Sequence, residues 1–257
     1  MTKNSTKILT VEGRAMNFVN TVIRRFKAAC VELLKIDILR FQICRLRWML
    51  YRTRLKVIDQ QSQGVGTNTV SYNLGVFKTH AKLVFGMGKR MSLLLYPTAA
   101  LLGSVPWANV LIVGPRTEDD ILWAWSLGLR GARGLDLFSY SPWIDVGDIH
   151  ATNYESDSFD AVLLGWMLAY SSRPDDAIRE AKRILKPGGL LGIGMEAIAD
   201  EKLESVKATL ENLVNSSADL IKIVGEEVVF LYDPKPDGAR YQTFHGYYLA
   251  VIFRLQA

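Results

Sequence analysis

Cysteine and long apolar runs are scarce in this chain of 257 residues. The two cysteines, Cys30 and Cys44, form no disulfide framework and have no spacing typical of metal ligands, so we expect a reduced protein without a bound metal. Charged residues recur from Arg14 to Lys56, which excludes the run of about 20 apolar residues that a membrane-spanning helix needs. The opening MTKNSTKILTVEGR lacks the features of a secretory signal. These absences predict a cytoplasmic protein that is not integral to a bilayer.

Glycine and proline are also absent from Ala15 to Tyr51. Because apolar residues recur there at helical spacing, this stretch predicts one long helix or two joined helices. The first 60 residues carry a formal charge of +9 and the rest of the chain −4. Basic residues interleave with Phe26, Phe41 and Trp48, so residues 15–56 are suited to peripheral contact with the inner face of an anionic membrane.

Two other interpretations of the basic helices stay open. They could pack on a partner subunit, giving an oligomer, or on the chain's own domain. RNA binding has less support, because no stacking module or recognition motif accompanies the basic character, and nucleic acid is not an expected partner.

The polar, glycine-bearing residues 60–73 predict a loop or linker. The chain is therefore predicted to consist of a basic helical extension and linker, residues 1–75, and an α/β domain, residues 76–257. A domain of that size can bury one complete core. We find no internal repeat.

From Val110 onward, short β-like runs alternate with helical stretches, which predicts a parallel sheet wound with helices. Val110–Gly114 is the first predicted strand, and Thr117 to Asp120 have the form of a capping box that opens a helix. The last two predicted strands, Glu227–Tyr232 and Tyr247–Leu255, are expected to pair antiparallel.

Five segments of this region, VLIVGPRTEDD, GLDLFSYS, GDIH, SFDAVLLGW and LKPGG, resemble in order the motif series of the class I S-adenosylmethionine-dependent methyltransferases. The resemblance implies a Rossmann-like, doubly wound and mostly parallel sheet with an antiparallel last strand, in addition to the N-terminal helical extension. It implies S-adenosylmethionine as cofactor and a small-molecule or glycan-type methyl acceptor. The first motif is degenerate: the family's acidic strand end and Gly-x-Gly-x-Gly are here Val113 followed by Gly114, Pro115, Arg116, Thr117 and Glu118.

The resemblance also implies a set of cofactor contacts. The turn from Gly114 to Glu118 would hold the methionine part, with Arg116 pairing its carboxylate and Glu118 its amine. Asp136, at the end of the second strand, is suited to accept hydrogen bonds from ribose hydroxyls. These residues could instead be a capped helix start and ordinary turn acids. Asp148 and Ile149 would contact the adenine. The full set is Gly114, Pro115, Arg116, Thr117, Glu118, Asp136, Leu137, Asp148, Ile149, Gly165 and Trp166.

Catalytic residues are harder to assign. Where many family members carry a His or Glu that acts on the substrate, this chain has Trp166, Ala169 and Tyr170, and neither Trp nor Ala titrates. Methyl transfer to an acceptor that is already nucleophilic depends mainly on holding donor and acceptor in line. The catalytic candidates are Tyr170, His150, Glu196 and His245.

Two further functional hypotheses follow from the same departures. A methyltransferase-like binding or scaffold protein without catalysis would explain the missing glycines and the missing base. A nicotinamide-dependent oxidoreductase is disfavoured, because the first turn lacks the Gly-x-Gly-x-x-Gly that holds a pyrophosphate.

Overall fold

The structure is a computed structural model. It describes residues 19–23, 25–26, 29–58, 65, 68–80, 89–103, 105, 107–198, 214–225, 227–233, 241–243 and 246–257. The helices within these ranges are α1 (Asp37–Tyr51), α2 (Thr69–His80), α3 (Ser92–Leu102), α4 (Asp119–Ser126), α5 (Pro174–Ile184) and α6 (Ser217–Val224). The strands are β1 (Lys56–Val57), β2 (Asn109–Val113), β3 (Gly131–Asp136), β4 (Phe138–Ser139), β5 (Ile144–Val146), β6 (Phe159–Gly165), β7 (Leu185–Ala197), β8 (Val228–Tyr232), β9 (Tyr241–Thr243) and β10 (Gly246–Leu255).

The main sheet has the strand order β5-β3-β2-β6-β7-β10-β8, with β9 paired to the start of β10. The first five strands in this order are parallel, and β10 runs antiparallel to both β7 and β8. Strand β8 therefore has the direction of the core strands. The predicted doubly wound, mostly parallel sheet with an antiparallel last strand is confirmed.

Both faces of the sheet are covered, as a parallel sheet requires. Alternate residues of β2 divide between the faces: Leu111 and Val113 join the cluster that contains α5 and α6, whereas Val110 and Ile112 join the cluster that contains α3 and α4. The central strands are apolar on both sides because neither side meets water. This two-sided burial explains why β6 is a continuous apolar run, AVLLG, with no polar alternation.

Helix α1 packs against the α/β domain. The described residues between 19 and 33 are helical and are followed by a break at residues 34–36, so two joined helices replace a single long one. Helix α1 packs on α4, and Trp48 makes edge contacts with Phe77 and Tyr140. Packing on the chain's own domain thus accounts for one face of α1, and Trp48 belongs to that face.

Two segments differ from the sequence-based expectation, which places a linker at residues 60–73 and ends the helix that follows Pro174 at Pro187, Gly188 and Gly189. Helix α2 begins at Thr69, inside the predicted linker, and crosses the expected boundary between residues 75 and 76. Helix α5 ends at Ile184, and the LKPGG segment from Leu185 to Gly189 is already part of β7. The helix therefore ends because Leu185 turns extended (φ −76°, ψ 139°), before the proline is reached.

Candidate functional site

A cavity of about 400 Å³ lies at the carboxyl ends of β2, β3 and β6. Ligands of wound α/β sheets bind at this edge, because the connections diverge there and leave a crevice. The N-terminal region closes part of the cavity through Val65, Thr69 and Asn73. The site is thus built from both predicted parts of the chain.

The turn after β2 contains two residues with positive φ, and only one of them is a glycine. Gly114 has φ 75°, and a Cβ there would lie 3.4 Å from the carbonyl oxygen of Gly165. Arg116, which stands where the family motif has its second glycine, has φ 54°. A non-glycine residue in this left-handed region costs on the order of 1 kcal/mol or more. The Arg116 amide donates a 2.9 Å hydrogen bond to Oδ2 of Asp136, which holds the strained turn to the end of β3.

Glu118 is a correction to the predicted site. Its side chain is fully buried, and its carboxylate accepts hydrogen bonds from Nε and Nη2 of Arg47 (2.5 and 2.9 Å) and from the Ser141 hydroxyl (2.5 Å). Glu118 is not among the residues that line the cavity. Because the guanidinium of α1 already neutralises this carboxylate, it does not face a ligand amine.

The acids that follow Glu118 do line the cavity. Helix α4 begins at Asp119, where the capping pattern placed a helix start, and Thr117 Oγ1 accepts a hydrogen bond from the Asp119 amide. Asp119 pairs with Arg40 of α1 at 2.8 Å. Asp120 makes no hydrogen bond or direct ion pair with any residue in the described part of the chain. Burial and then the neighbouring Asp119 raise the pKa of Asp120 to about 8.

Asp136 lies at the cavity, at the end of β3, as predicted for an acid of the second sheet strand. It is buried, and its two oxygens accept hydrogen bonds from the amides of Arg116 (2.9 Å) and Leu137 (2.7 Å). Burial raises its pKa to about 6, although these amide hydrogen bonds act in the opposite direction. Each carboxylate oxygen can accept more than one hydrogen bond, so Asp136 retains acceptor capacity toward the cavity.

Asp148, His150 and Ser171 form a connected array on the cavity wall. His150 Nδ1 lies 2.5 Å from Asp148 Oδ1, and His150 Nε2 lies 2.6 Å from Ser171 Oγ. With Asp148 accepting the Nδ1 proton, Nε2 is the acceptor for the Ser171 hydroxyl. The array joins the loop after β5 to the loop after β6, and Ser171 also bridges to Val65. His150 is therefore held in place at both ring nitrogens.

The other end of the cavity is aromatic and charged. Trp166 has φ 54° and lies across Gly194, where a Cβ would come within 2.6 Å of the indole. Tyr248 meets Trp166 edge-on with ring centroids 5.6 Å apart. The Arg90 guanidinium lies 5.3 Å from the Trp166 ring and donates a 3.0 Å hydrogen bond to Glu196.

Two features of the chain are similar to the methyltransferase-domain family. Residues 133–193, from β3 into β7, match the family model of a methyltransferase domain. The observed sheet, with its antiparallel β10 inserted beside β7, is the ending expected of that fold. In residues 133–193 and in the order and direction of its strands, this chain therefore resembles a class I methyltransferase domain.

Several solved structures resemble this chain at low identity. The [4+2]-cyclase SpnF is 18% identical with a TM-score of 0.47, over 65% of this chain and 80% of SpnF. An S-adenosylmethionine-dependent methyltransferase from Thermotoga maritima is 17% identical with a TM-score of 0.42, over 72% of this chain and 99% of its own. A geranyl diphosphate methyltransferase solved with S-adenosylmethionine is 12% identical with a TM-score of 0.42, over 75% and 96%. No curated protein matches the sequence.

Ten of the eleven residues that the sequence resemblance predicts as cofactor contacts line the cavity, and Glu118 is the exception. Of the catalytic candidates, Tyr170, His150 and Glu196 line it, and His245 lies outside the described residues. Sequence reasoning missed the contributions of Asn73, Arg90 and Ser171. No local pattern marks them, because each reaches the cavity from a segment whose position depends on the tertiary fold.

Proposed function

We propose that the methyltransferase domain binds S-adenosylmethionine in this cavity and transfers its methyl group to a small-molecule or glycan-type acceptor. The observation that carries the proposal is the convergence on one cavity of residues far apart in sequence, from Gly114 to Trp166. Because Gly114 has no side chain, a ligand can lie directly against its backbone. A Cβ at Gly114 would lie 3.4 Å from the Gly165 carbonyl oxygen and would occupy part of this space. When bound, the cofactor supplies a methyl group activated by a sulfonium.

In this proposal different cavity residues bind different parts of the cofactor. Asp136 accepts hydrogen bonds from the ribose hydroxyls, and Asp148 with the Ile149 backbone contacts the adenine. Arg116, whose Nη2 is oriented by a 2.8 Å hydrogen bond to Asn73, pairs the carboxylate of the methionine part. Asp120, rather than Glu118, takes the ammonium of the methionine part.

The proposed acceptor end consists of Trp166, Tyr170, Tyr248, Arg90 and Glu196. Its aromatic walls exclude water and restrict the acceptor to orientations in line with the methyl group. The Ser171 hydroxyl is hydrogen-bonded to His150 Nε2, so His150 acts as a base only if that hydrogen bond breaks. We therefore infer an acceptor that needs little assistance with deprotonation.

Titration calorimetry with S-adenosylmethionine, S-adenosylhomocysteine and NAD tests the proposed cofactor. We expect heat from both adenosyl ligands and none from NAD. The absence of heat from both adenosyl ligands would overturn the proposal. Binding without turnover across a panel of small-molecule and glycan acceptors would favour the non-catalytic scaffold.

Asp120 provides a sharper test of the ammonium site. Because the pKa of Asp120 is about 8 in the free protein, a bound ammonium should displace a proton from it near neutral pH. Calorimetry in two buffers of different ionisation enthalpy should detect that proton release, and Asp120→Asn should abolish it. Asp175→Asn, an exposed acid of α5, is the matched control. Equal proton release from Asp120→Asn and the native chain would exclude Asp120 as the site.

The proposal also includes a cytoplasmic location and a contact of residues 15–56 with a membrane face or a second subunit. Within the described part of the chain, no helix combines the length and apolarity needed to cross a membrane.

A further inference from the structure

Helix α1 turns two arginines toward the protein and several large apolar residues toward solvent. Arg40 is 2% exposed and Cys44 7%, and Arg47 is partly buried beside them on the same face. On the opposite face, Leu46 is 54% exposed, Met49 53% and Leu50 65%. A helix that packs on a core normally has the reverse arrangement.

The reason is visible in the contacts that hold α1 in place. Arg40 pairs with Asp119 and its guanidinium lies 4.5 Å from the Trp123 ring, while Arg47 pairs with Glu118 and lies 3.5 Å from the Trp143 ring. These ion pairs act beside the aromatic contacts that Trp48 makes with Phe77 and Tyr140. The exposed apolar residues on the opposite face of α1 therefore have no role in attaching the helix to its own domain.

The outward apolar residues lie near both ends of α1. Ile38, Leu39, Leu46, Met49 and Leu50 recur at helical spacing and are all exposed. Exposed apolar side chains concentrated on one surface mark an interaction site.

The helical residues before α1 are also apolar and exposed. Phe26 is 70% exposed, and Val19, Val22 and Ile23 precede it at helical spacing. Both N-terminal helices therefore present apolar side chains to solvent.

The charges around this face are basic. The exposed cations of the described N-terminal residues are Arg25, Lys35, Arg45, Arg52, Arg54 and Lys56. The exposed acids there are Glu32 and Asp37, which already pair with Lys35 and Arg40. The surface thus combines apolar side chains with uncompensated positive charge.

We propose that the outward face of α1 docks on the surface of an anionic phospholipid membrane. Leu46, Met49 and Leu50 would enter the boundary between headgroups and acyl chains, and Arg45 and Arg52 would contact the lipid phosphates. A symmetric pairing of two copies through this face would bring the same arginines together, whereas an anionic membrane neutralises them. The docking does not depend on the proposed methyl transfer.

Vesicle flotation of the full chain tests the docking. We expect binding to vesicles of phosphatidylcholine mixed with phosphatidylglycerol, little binding to pure phosphatidylcholine, and loss of binding as salt is raised. The combined variant Leu46→Gln, Met49→Gln and Leu50→Gln should weaken binding by about tenfold or more, because the buried apolar area is lost. Arg45→Glu with Arg52→Glu should remove the preference for anionic lipid.

Val229→Gln is the matched control, since Val229 is 61% exposed but lies on β8. It should leave vesicle binding unchanged. The single variant Met49→Gln provides a second readout if the triple variant does not fold. Equal binding to neutral and anionic vesicles, or binding unaffected by the α1 variants, would overturn the proposal. So would a dimer, measured by light scattering, that the α1 variants convert to monomer, since a second copy would then cover the face.

Discussion

The turn after β2 and the end of β3 each place a buried acid beside the same crevice, yet the two acids have different surroundings. Glu118, in the turn, meets the guanidinium of Arg47 and the Ser141 hydroxyl and is closed off from the cavity. Asp136, at the strand end, accepts only backbone amides and faces the cavity. A buried acid beside this crevice is therefore structural where a cation arrives from another segment. It remains suited to a ligand where none does.

The largest expected effect comes from removing the cation that closes Glu118 off. Arg47→Ala leaves a fully buried carboxylate without its partner, and breaking such a pair should lower the free energy of unfolding by roughly 3–5 kcal/mol. Urea denaturation measures the change. Arg45→Ala, an exposed arginine of the same helix, should change it by less than about 0.5 kcal/mol. Similar values for the two variants would show that the Glu118 pair does not hold α1 to the domain.

A second, smaller effect is expected at Asp136. Asp136→Asn removes the charge that would accept the ribose hydroxyls, and hydrogen bonds to charged groups contribute about 1.5–3 kcal/mol. The affinity for S-adenosylhomocysteine, measured by calorimetry, should therefore fall by about tenfold to a hundredfold. Asp175→Asn serves again as the control. Unchanged affinity in Asp136→Asn would make the ribose assignment wrong.

The smallest expected effect is a pH dependence with opposite signs for binding and stability. The pKa of Asp136 is raised to about 6, so the carboxylate is protonated below that pH and accepts fewer hydrogen bonds. Affinity for S-adenosylhomocysteine should decrease as pH falls through 6, and Asp136→Asn should flatten this part of the profile.

The stability contribution of the same group runs the other way. A folded pKa above the unfolded one means that ionisation is less favourable in the folded chain, so the contribution of Asp136 decreases as pH rises from the unfolded pKa to about 6. Denaturation of the native chain and Asp136→Asn across this range measures it. If the free energy of unfolding changed with pH by the same amount in both proteins, the raised pKa of Asp136 would be contradicted.

The sheet and the position of the cavity could be predicted from local patterns. Apolar runs separated by helical stretches gave the parallel strands, and an acid at the end of β3 could be placed at the ligand edge because parallel strands end on one side of the sheet. The end of helix α5 was less predictable. Proline and glycine at 187–189 suggested a stop, but the chain turns extended at Leu185, where pairing with Phe159 draws it into β7.

The partners of the first turn could not be predicted. Nothing near Glu118 in sequence shows that Arg47, 71 positions earlier, lies against it. The same holds for Asn73 beside Arg116, because helix α2 lies within a stretch whose polar composition favours a loop. Long-range ion pairs leave no local periodicity for sequence reasoning to detect.

The sequence by itself determined the alternation of strands and helices, the acids at the strand ends and the basic, apolar character of the first helices. These properties depend on side-chain type and spacing along a few neighbouring residues. Only the tertiary structure decided which acids face the cavity and which face of α1 remains exposed. Both outcomes depend on Arg40, which is buried, and on Arg47, which is partly buried. Their ion pairs with Asp119 and Glu118 hold α1 to the domain and leave the apolar side chains on the opposite face of the helix exposed.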